Sequence, residues 1–168
     1  MGTAIRTEGV QGIRLKTTVD NDLIASGIDG YKVMEYGTIA TKNEWLLSDN
    51  LTLDSVLNIN GKTTKVRKGV AYVNGKKDVT FKKDFAYTTY TGVLTGIEKE
   101  NFKKGYSARS YIILQNDKGN VITVYGDLIE TTVYLVANTA YNFKETTGVY
   151  KESQDVRNYL YENILNIK

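Results

Sequence analysis

Two Asn-Gly pairs, Asn60-Gly61 and Asn74-Gly75, lie between short runs of β-favouring residues. Asn and Gly tolerate the positive φ that both central residues of a type I′ turn require, so each pair predicts a β-hairpin. A third hairpin is predicted where residues 111–114 meet residues 121–124 across a loop at 116–120. Because hairpins at such short spacing need antiparallel pairing, they restrict the chain to antiparallel β architectures.

Alternation of apolar and polar residues predicts further strands along most of the chain. Residues 13–19 and 31–36 alternate with a period of two, and the longest candidate strand runs from Phe85 to Leu94. Two sheets of this kind usually hide their apolar faces by packing against each other. We therefore expect a mainly β fold, an antiparallel β-sandwich with one or two C-terminal helices.

The apolar spacing becomes helical towards the C-terminus. Helices are predicted at about 131–142 and 153–166, with Ser153 as the N-cap of the second and Asp155 in its first turn. They should cover one end or one open face of the sandwich. No linker, repeat or low-complexity tract separates strands from helices. We therefore expect residues 1–168 to form a single β-sandwich-like domain with a helical C-terminal segment.

The chain of 168 residues contains no histidine and no cysteine. This excludes disulfides, zinc sites built on Cys or His, and Ser-His or Cys-His nucleophilic catalysis. An enzyme would need other groups, and Glu35 is the best candidate for a buried general acid, with Asp84, Glu98 and Asp127 as potential partners. No spacing pairs these carboxylates, and Glu35 is more simply an outward or ion-paired strand residue. We expect no enzymatic activity and no catalytic residue.

Calcium ligands are the remaining metal-binding chemistry. Asp20, Asn21 and Asp22, together with Asp29, offer side-chain oxygens but lack the order of an EF-hand loop. The simpler interpretation is that these are turn residues whose side chains bind nearby backbone N–H groups. We expect no metal and no cofactor, and keep a structural calcium ion as the alternative.

Positive charge is concentrated in one segment. From Lys62 to Lys83 the chain has eight bases against Asp78 alone, although the net charge of the whole chain is only +3. One interpretation is a docking face for an anionic polymer such as nucleic acid, teichoic acid or an acidic glycan. The other is that lysines solvate and protect hairpin edges. We favour the second and expect no nucleic-acid partner, because Lys outnumbers Arg and nucleic-acid readers are usually Arg.

Aromatic residues are the main candidates for ligand binding, since the chain contains thirteen Tyr, four Phe and one Trp. Sugar-binding modules stack such rings on sugar faces, and Tyr and Trp also anchor protein interfaces. Trp45 is either a ligand platform or, with the leucines that follow it, part of the core. Tyr87 and Tyr90 point to opposite faces of one strand, and we expect Tyr90 at the surface. The candidate ligand-binding residues are Trp45, Tyr90, Tyr106 and Arg109.

Five short motifs follow an order found in a known module: Ala4-Ile5-Arg6, Gly12-Ile13-Arg14-Leu15-Lys16, Tyr36-Gly37-Thr38, Tyr106-Ser107-Ala108-Arg109-Ser110-Tyr111 and Val133-Tyr134-Leu135-Val136-Ala137. From about residue 4 to 142 the chain resembles a functionally uncharacterised module of large secreted and cell-surface proteins of Gram-positive anaerobes. That module often stands beside Ig-like, sugar-binding or glycosidase domains. The resemblance implies a secreted or cell-surface location and neighbouring domains. It also implies that Arg14 and Arg109 form a structural pair, and Glu35 would suit Arg14 as a carboxylate partner.

The expected function is that of a non-catalytic extracellular accessory module that binds a carbohydrate or cell-wall polymer. A structural or protein-interaction spacer of a surface protein is the first alternative, and a carboxylate-based glycoside hydrolase is the second. No stretch approaches the 18 or so apolar residues of a membrane span. No basic-then-apolar signal segment opens the sequence. The start at Met1-Gly2 fits either a cytosolic protein or a module cut from a longer secreted one, and we expect the second.

Overall fold

The computed structural model describes residues 1–167 and shows two antiparallel β-sheets that pack face to face. Lys168, the last residue of the predicted domain, lies outside the described residues. The elements follow in chain order: β1 (Gly2–Arg6), β2 (Gly12–Asp20), α1 (Asn21–Ser26), β3 (Tyr31–Lys42), β4 (Val56–Ile59), β5 (Lys62–Lys65), β6 (Lys68–Val73), β7 (Lys77–Asp78), β8 (Lys82–Lys83), β9 (Tyr87–Thr95), β10 (Tyr106–Asn116), β11 (Val121–Tyr125), β12 (Ile129–Thr131), α2 (Val133–Asn142) and α3 (Gln154–Leu160). The mainly β, antiparallel sandwich predicted from the sequence is confirmed.

The two sheets combine strands that are distant in the sequence. The smaller sheet has the order β1-β2-β9-β8, and the larger has the order β11-β10-β3-β6-β7, with β12 paired to β10. The ribbon formed by β4 and β5 pairs with neither sheet. Three segments from different sheets can therefore enclose a cleft: the end of β3, the end of β9 and the β4–β5 ribbon.

The sheets approach each other closely at the middle of β9. Tyr90 on β9 is buried with Val19, Tyr36 and Leu114 in a cluster that both sheets contribute to. At Gly92 an added Cβ would lie only 3.1 Å from the Cβ of Thr38 on the facing sheet. The absence of a side chain at Gly92 therefore lets the layers meet at this point.

The three predicted hairpins are present, but only one of the Asn-Gly pairs forms a type I′ turn. Asn60 and Gly61 have φ values of 52° and 81°, and they join β4 to β5 as a two-residue turn. At the second pair only Gly75 has a positive φ, and Lys76 belongs to the loop because Val73 pairs with Lys77. The type I′ prediction for Asn74-Gly75 is wrong, since a three-residue loop does not need a positive φ at its Asn.

Both C-terminal helices form where they were predicted. Ser153 caps α3 by accepting a 3.3 Å hydrogen bond from the N–H of Val156. Beyond α3 the chain continues as a π-helical turn over Tyr161–Leu165. Buried side chains of α2, α3 and this turn pack on Ile13 of β2 and close one end of the sandwich. No helix within residues 1–167 combines the length and the apolar character that a bilayer crossing needs.

Three features differ from the sequence predictions. The longest strand is β3, with 12 residues, because it continues through Gly37, where a Cβ would collide with the Gly69 carbonyl oxygen of the neighbouring strand. The candidate strand from Phe85 to Leu94 is shorter at its start, since β9 begins at Tyr87 and Phe85 lies in an exposed loop. A short helix, α1, occupies the segment that was interpreted as a turn.

Candidate functional site

A cleft of about 350 Å³, the Trp45 cleft, lies where the ends of β3 and β9 meet the β4–β5 ribbon. Its apolar wall comes from Ala40, Trp45, Leu57, Ile59, Leu94, Ile97 and Tyr106. Its polar and charged wall comes from Thr41, Lys42, Thr64, Lys65, Arg67 and Thr95. Two of the four predicted ligand-binding residues, Trp45 and Tyr106, therefore meet at one concave surface.

Trp45 is positioned by a short turn that ends β3. The turn spans Asn43–Trp45, and the Trp45 ring is half-buried beside the core cluster of Ile39, Leu51 and Leu57. The ammonium of Lys42 lies 4.8 Å from the centre of the Trp45 ring, within the range of a cation–π contact. The two interpretations of Trp45 are thus compatible, because one part of the side chain packs against the core while the residue also lines the cleft.

Tyr106 lies at the start of β10, opposite Lys42 on β3. It is 3% exposed, so it does not present its ring to solvent as a ligand platform would. Its hydroxyl is buried and has no hydrogen-bond partner within residues 1–167. Burial raises the pKa of the Tyr106 hydroxyl, and the nearby Glu44 carboxylate raises it further. At neutral pH this hydroxyl is therefore protonated and keeps an unused hydrogen-bond donor.

The Trp45 cleft is positively charged. Lys42, Lys65 and Arg67 line it, and no Asp or Glu among residues 1–167 does. Lys42 lies 3.7 Å from Glu44, but Glu44 also forms a 3.3 Å ion pair with Lys104. These charges attract anions, and the hydroxyls of the exposed Thr64 and Thr95 can bind other hydroxyl groups.

Tyr90 is not a surface residue, and that prediction is wrong. It is 1% exposed, and its hydroxyl donates a 2.8 Å hydrogen bond to the carbonyl oxygen of Gly37. Tyr87, on the other face of β9, is 48% exposed. Both faces of β9 carry tyrosine and threonine side chains, and alternation alone does not say which face meets the second sheet. The prediction therefore reversed the two faces.

Arg109 does not line the Trp45 cleft, and its guanidinium donates hydrogen bonds to two loops. Its Nε donates to the carbonyl oxygen of Gly126 at 2.7 Å, and its Nη1 donates to Oδ1 of Asn50 at 2.7 Å. The guanidinium also lies 4.9 Å from the centre of the Tyr125 ring. These contacts are structural, and they leave Arg109 outside the site that the other candidates form.

Glu35 does not pair with Arg14. Its Oε1 accepts hydrogen bonds from Nζ of Lys68 at 2.6 Å and from the hydroxyl of Tyr111 at 2.8 Å. Arg14, on β2 of the other sheet, lies instead over the ring of Phe81 at 5.8 Å. The interpretation of Glu35 as an ion-paired strand residue is confirmed, whereas the suggested Arg14–Glu35 pair is wrong, because Lys68 is the cation at Glu35 and Arg14 lies over Phe81.

A second cleft, the helical-end cleft, has a volume of about 510 Å³ and lies between β1, β12 and the C-terminal helices. Two glutamates, Glu130 and Glu152, line it together with Arg14 and Lys151. The carboxylate of Glu130 accepts a 3.3 Å hydrogen bond from Nδ2 of Asn43. Sequence reasoning did not select this set because its members come from separate segments with no motif in common.

Asp20 and Asn21, which were suggested as calcium ligands, form hydrogen bonds to the backbone instead. Oδ1 of Asp20 accepts hydrogen bonds from the N–H groups of Asp22 at 2.7 Å and Leu23 at 3.3 Å, so it caps α1. Nδ2 of Asn21 donates to the carbonyl oxygens of Asp84 and Phe85. In the part of the chain that the structure describes, no group of three or more His, Cys, Asp or Glu residues is arranged to hold a metal ion.

The molecule is a β-sandwich with a helical end, and the Trp45 cleft and the helical-end cleft are two of its concave surfaces. No protein-family model matches the chain, and comparisons with curated proteins and with solved structures find no significant match either. The resemblance to the surface-protein module therefore depends on the sequence motifs alone and stays a prediction.

Proposed function

We propose that this protein is a non-catalytic extracellular accessory module that binds a carbohydrate or cell-wall polymer in the Trp45 cleft. The observation that carries the proposal is the meeting of one tryptophan with hydroxyl and ammonium side chains at one concave surface. Sugars offer apolar C–H faces to aromatic rings and hydroxyl groups to polar side chains. An extracellular location is supported by the resemblance of the sequence motifs to a surface-protein module.

The dimensions of the Trp45 cleft suit a small segment of a polymer. Its volume of about 350 Å³ lies at the lower end of the range for small-molecule sites. Apolar and hydroxyl side chains lie side by side in the cleft, since Leu57 pairs with Thr64 across the ribbon and Thr95 follows Leu94 on β9. We expect one or two sugar units to be bound there, with the rest of the polymer in solvent.

Affinity electrophoresis against a panel of neutral and acidic polysaccharides tests the proposal. We expect at least one polymer to retard the wild-type protein and Trp45→Ala to abolish the retardation. Tyr87→Ala is the matched control, because Tyr87 is an exposed aromatic residue of β9 that does not line the cleft. Retardation by no polymer, or equal retardation of the wild type and Trp45→Ala, would contradict the proposal.

A structural or protein-interaction role is the second candidate, and one exposed apolar segment favours it. Phe81 and Phe85 are 55% and 101% exposed, and Val79 and Tyr87 beside them are also exposed. Apolar side chains grouped in this way are typical of a contact surface. This role predicts that residues 79–87 gain protection from hydrogen exchange when a neighbouring domain of a longer chain is present. Unchanged exchange in that segment would remove it.

A further inference from the structure

We propose that the polymer bound in the Trp45 cleft is anionic, with carboxylate or phosphate groups on a hydroxyl-rich chain that bind Lys42, Lys65 and Arg67. This inference rests on the proposed function and names the ligand class of the same site. Uronate glycans and polyol phosphates share this chemistry, and the experiment below distinguishes them.

The charges of the cleft are unbalanced in favour of an anion. Three cations and no carboxylate line it within the described residues. The basic residues 65 and 67 form no ion pair within 4.0 Å in that part of the chain, in contrast to Lys68, which Glu35 neutralises at 2.6 Å. The positive potential at the cleft is therefore available to a ligand.

Two of these cations are near neighbours in the chain where β5 ends. Lys65 and Arg67 are exposed, whereas Val66 between them is buried and its N–H donates to the carbonyl oxygen of Ser55 at 3.0 Å. Both basic residues line the cleft, so two positive charges are available to a chain that carries repeated negative charges.

Lys42 provides the best-positioned charge. Its side chain is only 16% exposed, and its ammonium lies 4.8 Å from the centre of the Trp45 ring. Partial burial strengthens the attraction between an ammonium and an incoming anion, because less water screens the pair. Glu44 balances part of this charge, but the Glu44 carboxylate also binds Lys104.

Tyr106 adds an independent observation that points to a ligand. It lines the cleft, is 3% exposed and has a buried hydroxyl without a partner in residues 1–167. A buried donor left unsatisfied costs about 1–3 kcal/mol, and a ligand oxygen that reached this hydroxyl on binding would recover that cost. A phenolic hydroxyl donates to a carboxylate or phosphate oxygen more strongly than to a neutral hydroxyl.

Isothermal titration at low salt tests the inference with chains that differ only in charge. The probes are polygalacturonate and its methyl ester, and poly(glycerol phosphate) without and with alanyl esters, whose ammonium groups compensate the phosphate charge. The methyl-ester and alanyl-ester chains are called the charge-blocked forms. We expect at least one anionic form to bind about tenfold or more tightly than its charge-blocked form, as loss of a charge-assisted contact predicts. Its affinity should also fall as salt is added.

Two variants locate the interaction. Lys65→Gln combined with Arg67→Gln should weaken binding of the anionic form about tenfold or more, without a change in the thermal midpoint, because both residues are exposed. Lys76→Gln combined with Lys77→Gln is the control, since these lysines belong to the same basic segment but lie outside the cleft. Equal losses in the two double variants would overturn the assignment to the cleft.

The remaining outcomes separate the two proposals. Binding of the charge-blocked chains as tightly as the anionic chains overturns the inference but leaves carbohydrate binding intact. If the protein binds none of these chains and no neutral polysaccharide, the proposed function and the further inference are both overturned. Equal binding of double-stranded DNA overturns the requirement for a hydroxyl-rich chain, because the cleft would then act as a general polyanion site.

Discussion

The hydroxyl of Tyr90, on one sheet, donates a 2.8 Å hydrogen bond to the carbonyl oxygen of Gly37, on the other. Gly37 also pairs with Tyr111 of β10 and with Val70 of β6, so the bond reaches the centre of the larger sheet. The Tyr90 side chain thus connects the two sheets in two ways, because its ring packs between them and its hydroxyl forms a hydrogen bond across them.

Tyr90→Phe removes only this hydroxyl. We expect it to lower the free energy of unfolding by about 1–2 kcal/mol, because the Gly37 carbonyl loses its buried side-chain donor. Tyr87→Phe is the control, and it should change stability by less than about 0.5 kcal/mol, since Tyr87 is exposed. Urea denaturation measures both. Equal stability of the two variants would show that the inter-sheet bond does not form.

Alkaline pH should destabilise the protein through its buried phenols. Burial, together with the charge of Asp78, raises the pKa of Tyr36 from 10.0 to about 12, and burial also raises the pKa values of Tyr90 and Tyr111. Between pH 10 and pH 12 the unfolded chain loses phenolic protons that the native state keeps. The stability that the buried phenols contribute is therefore constant below pH 10 and falls as the pH rises towards 12. For Tyr36 alone the loss is on the order of 2 kcal/mol.

Urea midpoints measured from pH 8 to 12 follow this loss, and the ultraviolet absorbance of tyrosinate reports the ionisation directly. Tyr36→Phe should make the fall in stability with pH shallower, because one of the buried phenols is gone. A pH dependence identical to that of the wild type would contradict the assignment to Tyr36.

Ser153→Ala should weaken the last helix. The Ser153 hydroxyl accepts the hydrogen bond from the N–H of Val156, and removal of such a cap costs about 1 kcal/mol. Ser153→Asp keeps an acceptor at this position and should retain most of the stability. Thermal unfolding followed by circular dichroism compares the variants. A similar loss for both would mean that the cap does not stabilise α3.

Arg109→Ala should cost about 2 kcal/mol in stability, since the Gly126 carbonyl and the Asn50 side chain both lose a charged donor. Arg109→Lys should recover little of this loss, because an ammonium lacks the planar fork that reaches both acceptors. Lys76→Ala, at an exposed hairpin, should stay within about 0.5 kcal/mol of the wild type. None of these changes should alter polymer binding, because Arg109 lies outside the Trp45 cleft.

The parts of the fold that depend on local chemistry could be predicted from the sequence. Asn60-Gly61 specifies its turn through backbone conformation, and Ser153 specifies a helix start through its hydroxyl. The short helix α1 was missed although Asp20 carries the matching signal, because Asp in a polar segment also suits a turn or a metal ligand.

The parts that depend on tertiary pairing could not be predicted. The pairing of β2 with β9 joins segments about 70 residues apart in the chain, and the packing of their sheet on the larger sheet buries Tyr90 and leaves Tyr87 in solvent. For the same reason Trp45 and Tyr106 could be selected as candidate residues from the sequence, whereas their convergence with Lys65 and Arg67 could not.

The separation of the β4–β5 ribbon from both sheets has a kinetic consequence. An isolated two-stranded hairpin is only marginally stable, and this one is anchored by its bridge to Leu46 and by Leu57 and Val66, which pack in the cluster of Ile39, Leu51 and Tyr111. It can therefore open locally while the sandwich stays folded. We expect the residence time of a ligand beside Ile59 and Lys65 to depend on how fast this ribbon opens, and not on the global stability of the protein.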